Sequence, residues 1–216
     1  MRAIEGLFRL FFRLLYHQFA WTYDLVAAVV SLGRWQDWVR GVLPFIKGRQ
    51  VLELGPGPGH LQVTLNEKGF QSYGLDESRQ MLRQCGRLLR RNSLQSRLSR
   101  GYAQNLPFRA GCFDTVLATF PTEYIYEPAT LSEVRRVLTP DGRLVLLPVA
   151  WITGASLPER LAAGLFRLTG QAPERRGELP AVVIDRFAAA GFQVRTETIA
   201  MNGSLLLFLL AEPIQA

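Results

Sequence analysis

Residues 50–59, Gln-Val-Leu-Glu-Leu-Gly-Pro-Gly-Pro-Gly, constrain this chain more than any other stretch. The apolar run reads as a buried strand that ends at Gly55. Residues 59–69 read as a helix closed by Gly69. A glycine-rich turn between strand and helix lets the backbone approach a ligand closely. The same rhythm continues downstream. Residues 70–76 form a strand pattern ending in Asp76, and 77–91 a helix. Residues 112–120 read as a strand, and 130–138 as a helix stopped by Thr139-Pro140-Asp141-Gly142, with a strand from 143 to 150. This alternation predicts a parallel sheet with helices on both faces and a ligand outside the carboxyl ends of the strands. A further helix covers 181–192. Two strands, 193–200 and 204–212, flank Met201-Asn202-Gly203. Asn-Gly marks a hairpin, so the sheet is expected to end in an antiparallel pair. A chain of 216 residues suits one domain with a sizeable core.

The loop's chemistry narrows the ligand. A dinucleotide fingerprint is GxGxxG, whose free N–H groups receive a pyrophosphate. Here the spacing is GxGxG, and Pro56 and Pro58 carry no N–H. Glu53, just before the loop, adds negative charge. A ligand with a positive group and no phosphates fits better. S-adenosylmethionine has an ammonium, a sulfonium and an adenosine. Asp76, ending the second strand, is placed to accept hydrogen bonds from ribose hydroxyls, a device that NAD sites share.

Composition removes other classes. The two cysteines, Cys85 and Cys112, form no CxxC pair, and His17 and His60 are the only histidines. A zinc site is not expected, nor a disulfide-stapled secreted scaffold, and a reducing cytoplasm is the default. The formal charge of +7 favours anionic partners, either nucleic acid or an anionic membrane surface. Arg79, Arg83, Arg87, Arg90, Arg91, Arg97 and Arg100 make a dense basic run without interleaved aromatics. It reads as a solvated outer helix rather than a nucleic-acid site. In residues 2–21, Glu5, Arg9, Arg13 and His17 form one polar stripe on an otherwise apolar helix. That pattern suits a membrane interface or a helix packed on the domain's own core, and it suits neither a spanning helix nor a signal peptide.

The segments Val-Leu-Glu-Leu-Gly-Pro-Gly-Pro-Gly, Tyr-Gly-Leu-Asp-Glu-Ser, Gly-Tyr-Ala-Gln-Asn-Leu-Pro-Phe, Phe-Asp-Thr-Val-Leu-Ala-Thr-Phe and Leu-Thr-Pro-Asp-Gly-Arg-Leu-Val-Leu-Leu-Pro occur in that order over residues 45–150. As a set they resemble the class I S-adenosylmethionine-dependent methyltransferases. The resemblance implies a Rossmann-like α/β fold: a doubly wound, seven-stranded, mostly parallel sheet with an antiparallel C-terminal hairpin strand. It also implies S-adenosylmethionine as cofactor. The implied contacts are Glu53, Gly55, Pro56, Gly57 and Gly59 beneath the methionine part, and Asp76 and Glu77 at the ribose. Tyr102, Ala103 and Gln104 would lie at the adenine, with Thr119 at the fourth strand's end. Residues 19–40 resemble the segment before the cofactor loop in quinone-biosynthesis and phospholipid N-methyltransferases, which makes Tyr23 and Asp24 lid candidates. Two positions depart from the pattern. Tyr102 replaces an acidic residue that takes the adenine amino group, which leaves Gln104 or a backbone carbonyl to read it. Arg143 replaces a second glycine after Pro-Asp-Gly, in what the sequence presents as a turn.

Methyl transfer from a sulfonium requires alignment and exclusion of water more than an acid–base pair. No catalytic residue is therefore fixed. Glu123, Tyr124 and His60 are candidates, each with a structural alternative as a surface, packing or helix-start residue. Thr119-Phe120-Pro121 stands where amino-group methyltransferases of this family carry Asn-Pro-Pro-Tyr, which argues against a planar base amine as acceptor. The domain is expected to comprise a helical cap (1–45), a cofactor-binding core (46–150) and an acceptor-side insertion (151–180). Leu157, Leu161, Leu165, Phe166 and Leu168 would supply a greasy wall. These features point to a small hydrophobic or lipid-like acceptor, such as a quinol or a phospholipid amine. They also point to a cytoplasmic enzyme that touches the inner face of the membrane through residues 2–21. RNA methylation and a non-catalytic cofactor-binding role are the alternatives.

Overall fold

The computed structural model describes residue 31, residues 33–153 and residues 181–215. Seven strands form one sheet: β1 Gln50–Leu54, β2 Gln71–Asp76, β3 Leu98–Arg100, β4 Phe113–Thr119, β5 Leu138–Ile152, β6 Phe192–Met201 and β7 Ser204–Pro213. Their order across the sheet is β3-β2-β1-β4-β5-β7-β6. The first five pair in parallel, and β7 lies antiparallel between β5 and β6. The described helices are α1 Trp35–Arg40, α2 His60–Glu67, α3 Arg79–Arg91, α4 Pro128–Val137 and α5 Ala181–Ala189. Two short 3-10 turns lie at Leu43–Phe45 and Glu123–Tyr126. The predicted doubly wound sheet is thus present, with its antiparallel end.

Both faces of the central strands are covered, which is why those strands read as continuous apolar runs. On one face Leu52, Leu54, Val116 and Leu144 pack with Leu131 and Val134 of α4 and Phe187 of α5. On the other, Val51, Leu117, Val145 and Leu210 pack with Trp38 of α1 and Leu61 and Leu65 of α2. Trp38 is part of this core, as a packing tryptophan should be. The hairpin forms at Asn202 and Gly203, both with positive φ, and Met201 pairs with Ser204.

Three details differ from the sequence expectation. β3, only Leu-Ser-Arg, has no apolar alternation to announce it, and it exists because it pairs with Gly74–Asp76. Residues 139–142 do not end the helical segment as a turn before a new strand. They lie inside β5, which starts at Leu138, and the register slips between Phe113 and Thr115, so Leu138 and Arg143 face partners only two residues apart on β4. The turn residues are absorbed as a bulge. Arg143 is accordingly not a turn residue. Its guanidinium donates to Glu212 of β7 at 2.9 Å and to the Phe45 carbonyl at 3.3 Å, so it ties β5 to β7 and to the segment before β1.

Gly59 caps α2 in the left-handed region, with φ of 98°. A Cβ there would stand 2.5 Å from Cys85 Sγ and 3.0 Å from Cys85 Cα, where α2 begins against α3. Gly59→Ala combines left-handed strain with overpacking and should cost about 3 kcal/mol. Chemical denaturation of the two proteins measures it.

Candidate cofactor site and its relatives

β1 lies between β2 and β4, and the chain's direction across the sheet reverses there, so the loop after β1 sits at a topological switch point. The N–H groups of residues 55–59 turn toward the protein. Gly55 N–H donates to the Leu75 carbonyl at 2.8 Å. Gly57 N–H is directed at the Asp76 carboxylate and favours its charged form. Gly59 N–H donates to the Pro56 carbonyl at 3.0 Å. Pro56 and Pro58 have none to give. Pro56 itself is buried, with Cγ 3.1 Å from where a Gly74 Cβ would stand, so β2 and the loop interlock. A diphosphate therefore finds no donor in this loop. The exposed surface above it is bare: a Cβ at Gly57 would meet nothing within 4 Å, and one at Gly55 only the Tyr124 hydroxyl, at 3.5 Å.

Glu53 lies beneath the loop, 2% exposed. Its carboxylate accepts from Gln62 Nε2 at 2.7 Å. The Gln62 amide oxygen accepts from Ser72 Oγ at 3.0 Å, and Ser72 Oγ accepts from Asn66 Nδ2 at 2.8 Å. This chain of bonds joins α2 to β1 and β2. Burial pushes the Glu53 carboxyl up to about 7, with the Gln62 bond opposing and Asp76 adding to the rise. At neutral pH its charge is partly lost. The repulsion of a diphosphate expected from Glu53 is thus weaker than the sequence suggested, and the spent N–H groups exclude that ligand instead. Gln62 and Ser72 were missed in the sequence. Their only signal is polarity at inward-facing positions, on a helix beside Leu61 and on a strand.

Asp76 stands at the end of β2, half-buried. It also accepts the Ser78 N–H, at 2.8 Å, and burial raises its carboxyl against these two hydrogen bonds. Ser78 Oγ caps α3 through Met81 N–H, so the end of β2 and the start of α3 form one turn. β3 pairs beside β2 with Asp76 opposite Arg100, and Gly101 N–H donates to the Asp76 carbonyl at 3.2 Å. Residues 102–104 follow directly. Tyr102 is 64% exposed, while the Ala103 side chain is buried, which leaves its backbone to face a ligand. Gln104 donates one amide hydrogen to Glu127 at 2.7 Å, and its carbonyl oxygen stays available to accept. Glu77 is exposed, and its carbonyl accepts from Arg100 Nε at 3.0 Å. Thr119, at the end of β4, is half-buried.

Tyr124 overhangs Gly55, Glu123 is exposed on its 3-10 turn, and His60 is the half-buried first residue of α2. Tyr23 and Asp24 lie outside the described residues, as do residues 2–21 and 154–180. Beyond β4, Phe120 has φ of 49°, and its N–H donates to the Leu147 carbonyl at 2.7 Å. Trp35 stacks on Phe120 with ring centroids 4.3 Å apart, and Trp38 lies 6.1 Å from it.

Residues 52–146 match a methyltransferase-domain family model. Over 211 residues the chain is 31% identical to a demethylmenaquinone methyltransferase of Thermus thermophilus, with 87% of this chain and 96% of that one aligned. The chain belongs to the class I S-adenosylmethionine-dependent methyltransferases. It is 34% identical over 143 residues to a demethylmenaquinone methyltransferase of Deinococcus radiodurans, covering 62% of this chain and 59% of that one. The fold is shared with magnesium protoporphyrin IX methyltransferase of Synechocystis PCC 6803, whose crystal structure holds adenosylhomocysteine. The TM-score is 0.53 and the identity 20%, over 87% of this chain and 84% of that one. The methyltransferase uses S-adenosylmethionine, and the donor-poor loop suits a ligand without phosphates. Among the described residues no helix is long and apolar enough to cross a membrane.

The Glu53 carboxyl holds its proton more tightly in the native enzyme than in the unfolded chain. Its contribution to stability therefore falls as pH rises from about 4.5 to about 7. Glu53→Gln keeps an acceptor for Gln62 and removes the titration. Thermal unfolding at pH 5 and pH 8 should show the variant gaining on the wild type at the higher pH.

Proposed function

We propose that this methyltransferase transfers the methyl group to a small lipophilic acceptor of the quinol class. The observation that carries the reading is the aromatic platform at the end of β4. Phe120, backed by Trp35 and Trp38, follows directly on Thr119, which stands where an asparagine would bind a planar amine, and it offers a flat apolar face. The relatives named demethylmenaquinone methyltransferases support it.

The bound cofactor supplies an activated methyl group on a sulfonium. The chain's own residues orient and enclose. Asp76 holds the ribose hydroxyls, with Glu77 beside it. The backbone of Tyr102–Gln104 flanks the adenine, and the Gln104 amide oxygen accepts from its amino group. Gly55, Pro56, Gly57 and Gly59 form a floor that Glu53 supports from beneath, and Thr119 borders the methionine part. Tyr124, reaching over Gly55 from the acceptor side, positions the acceptor's hydroxyl through its own. Glu123 and His60 are left outside the transfer. In this reading the protein is a single domain, 1–216, in which 1–45, with Tyr23 as a lid residue, and 151–180 cover the two sides of the core. Residues 2–21 meet the membrane's inner face.

Mass spectrometry after incubation with adenosylmethionine and a short-chain demethylmenaquinol tests the reading. One added methyl on the quinol ring is the expected product. Transfer to phosphatidylethanolamine instead, or to neither, overturns it. Phe120→Ala should raise KM for the quinol at least tenfold and leave the cofactor Kd within threefold. Asp76→Ala should weaken adenosylhomocysteine binding about a hundredfold by calorimetry, from two lost hydrogen bonds to a charged group.

A further inference from the structure

The outer face of α3 and the adjoining β3 border an open groove of about 640 Å³. None of the Gly55–Gly59 loop lines it. Arg79, Arg83, Arg87 and Arg90 line it from the helix and Arg100 from the strand, and no lining residue is acidic. None of the five forms an ion pair with a described residue, and Arg100 donates only to a backbone carbonyl. Residues 79–100 hold seven arginines and no aspartate or glutamate. Taking those seven from the chain's 25 basic residues leaves 18, the number of its acids, so the whole formal charge of +7 resides in this segment.

The floor of the groove is Gly86, in the interior of α3, where glycine weakens a helix relative to alanine. Core packing does not demand it. A Cβ there would stand 3.7 Å from Leu98 Cδ1 and 3.8 Å from Ser96 Oγ, both ordinary contacts. Its close neighbour would be the Arg90 guanidinium, at 3.3 Å. The missing side chain leaves room between the helix arginines and Arg100 of the strand.

We propose that this groove seats the phosphate headgroups of an anionic phospholipid surface. Guanidinium forks match phosphate oxygens two at a time. Arg79, Arg83 and Arg87 recur every four residues, about 6 Å apart along the axis, so several headgroups are met at once. A single-stranded nucleic acid is the weaker fit, because such sites add stacking rings and no aromatic side chain lines this groove. The upper end of the groove adjoins the cofactor side. Arg79 begins the helix that the Asp76–Ser78 turn leads into, and Arg100 pairs opposite Asp76. The inference deepens the lipophilic-acceptor reading, since such an acceptor dissolves in a bilayer. The test reads binding alone, so it can fail while the acceptor assay succeeds, and the reverse.

The full chain is sedimented with vesicles of neutral phosphatidylcholine alone or with 30% phosphatidylglycerol. Binding is expected to the anionic vesicles at 0.1 M salt and to be lost at 0.5 M. Arg83→Gln with Arg87→Gln should weaken it at least tenfold, and Gly86→Leu, which fills the floor, at least threefold. Circular dichroism checks that each variant is folded. A control with Lys68→Gln and Arg109→Gln removes two charges elsewhere and should bind within twofold of wild type. Equal loss in the control and the groove variant would overturn the proposal in favour of bulk charge. Equal binding to neutral vesicles would also overturn it, as would tighter binding of a single-stranded RNA oligonucleotide than of anionic vesicles.

Discussion

The hydrogen bonds from the Gly55–Gly59 loop to the end of β2 are the constraint on which the site depends. Gly55 reaches the Leu75 carbonyl and Gly57 the Asp76 carboxylate, while Pro56 packs over Gly74. The loop spends its donors on the protein. A loop that kept those donors free would be an anion nest. This one is a floor, and its bare glycine surface admits a flat nucleoside whose charge is positive. Asp76 serves both purposes, since it fastens the loop and stands at the strand end.

Below the floor, Glu53, Gln62, Ser72 and Asn66 form a polar thread through otherwise apolar packing. Buried polar groups of this kind are stable only when each has a partner. The thread fixes the distance between α2 and the first two strands, and therefore the height of the loop. The raised Glu53 carboxyl is the electrostatic consequence of that burial. On the other side of β4 the design is apolar. Phe120 adopts a positive φ, held by its bond to the Leu147 carbonyl, and presents its ring to Trp35. One edge of the sheet thus offers a polar, carboxylate-bearing half, as a charged cofactor requires, and an aromatic half suited to the lipophilic acceptor proposed above.

The sequence determined the sheet's rhythm, the cofactor class and the positions of Gly55, Gly57, Gly59 and Asp76, because periodicity and turn chemistry are local properties. The Asn202-Gly203 hairpin was legible for the same reason. Whatever depended on a distant partner was not. β3 is a strand only because β2 lies beside it. Residues 139–142 carry turn chemistry yet lie in β5, because β4 supplies the pairing. Arg143 was read as a turn residue because Glu212, 69 positions away, is invisible to local reasoning. Likewise, the arginines of residues 79–100 are plain in the sequence, but only the packing of α3 against β3 makes five of them the walls of one groove. Local patterns fix what each segment can become, and long-range contacts, set by chain topology, choose which of those possibilities is realised.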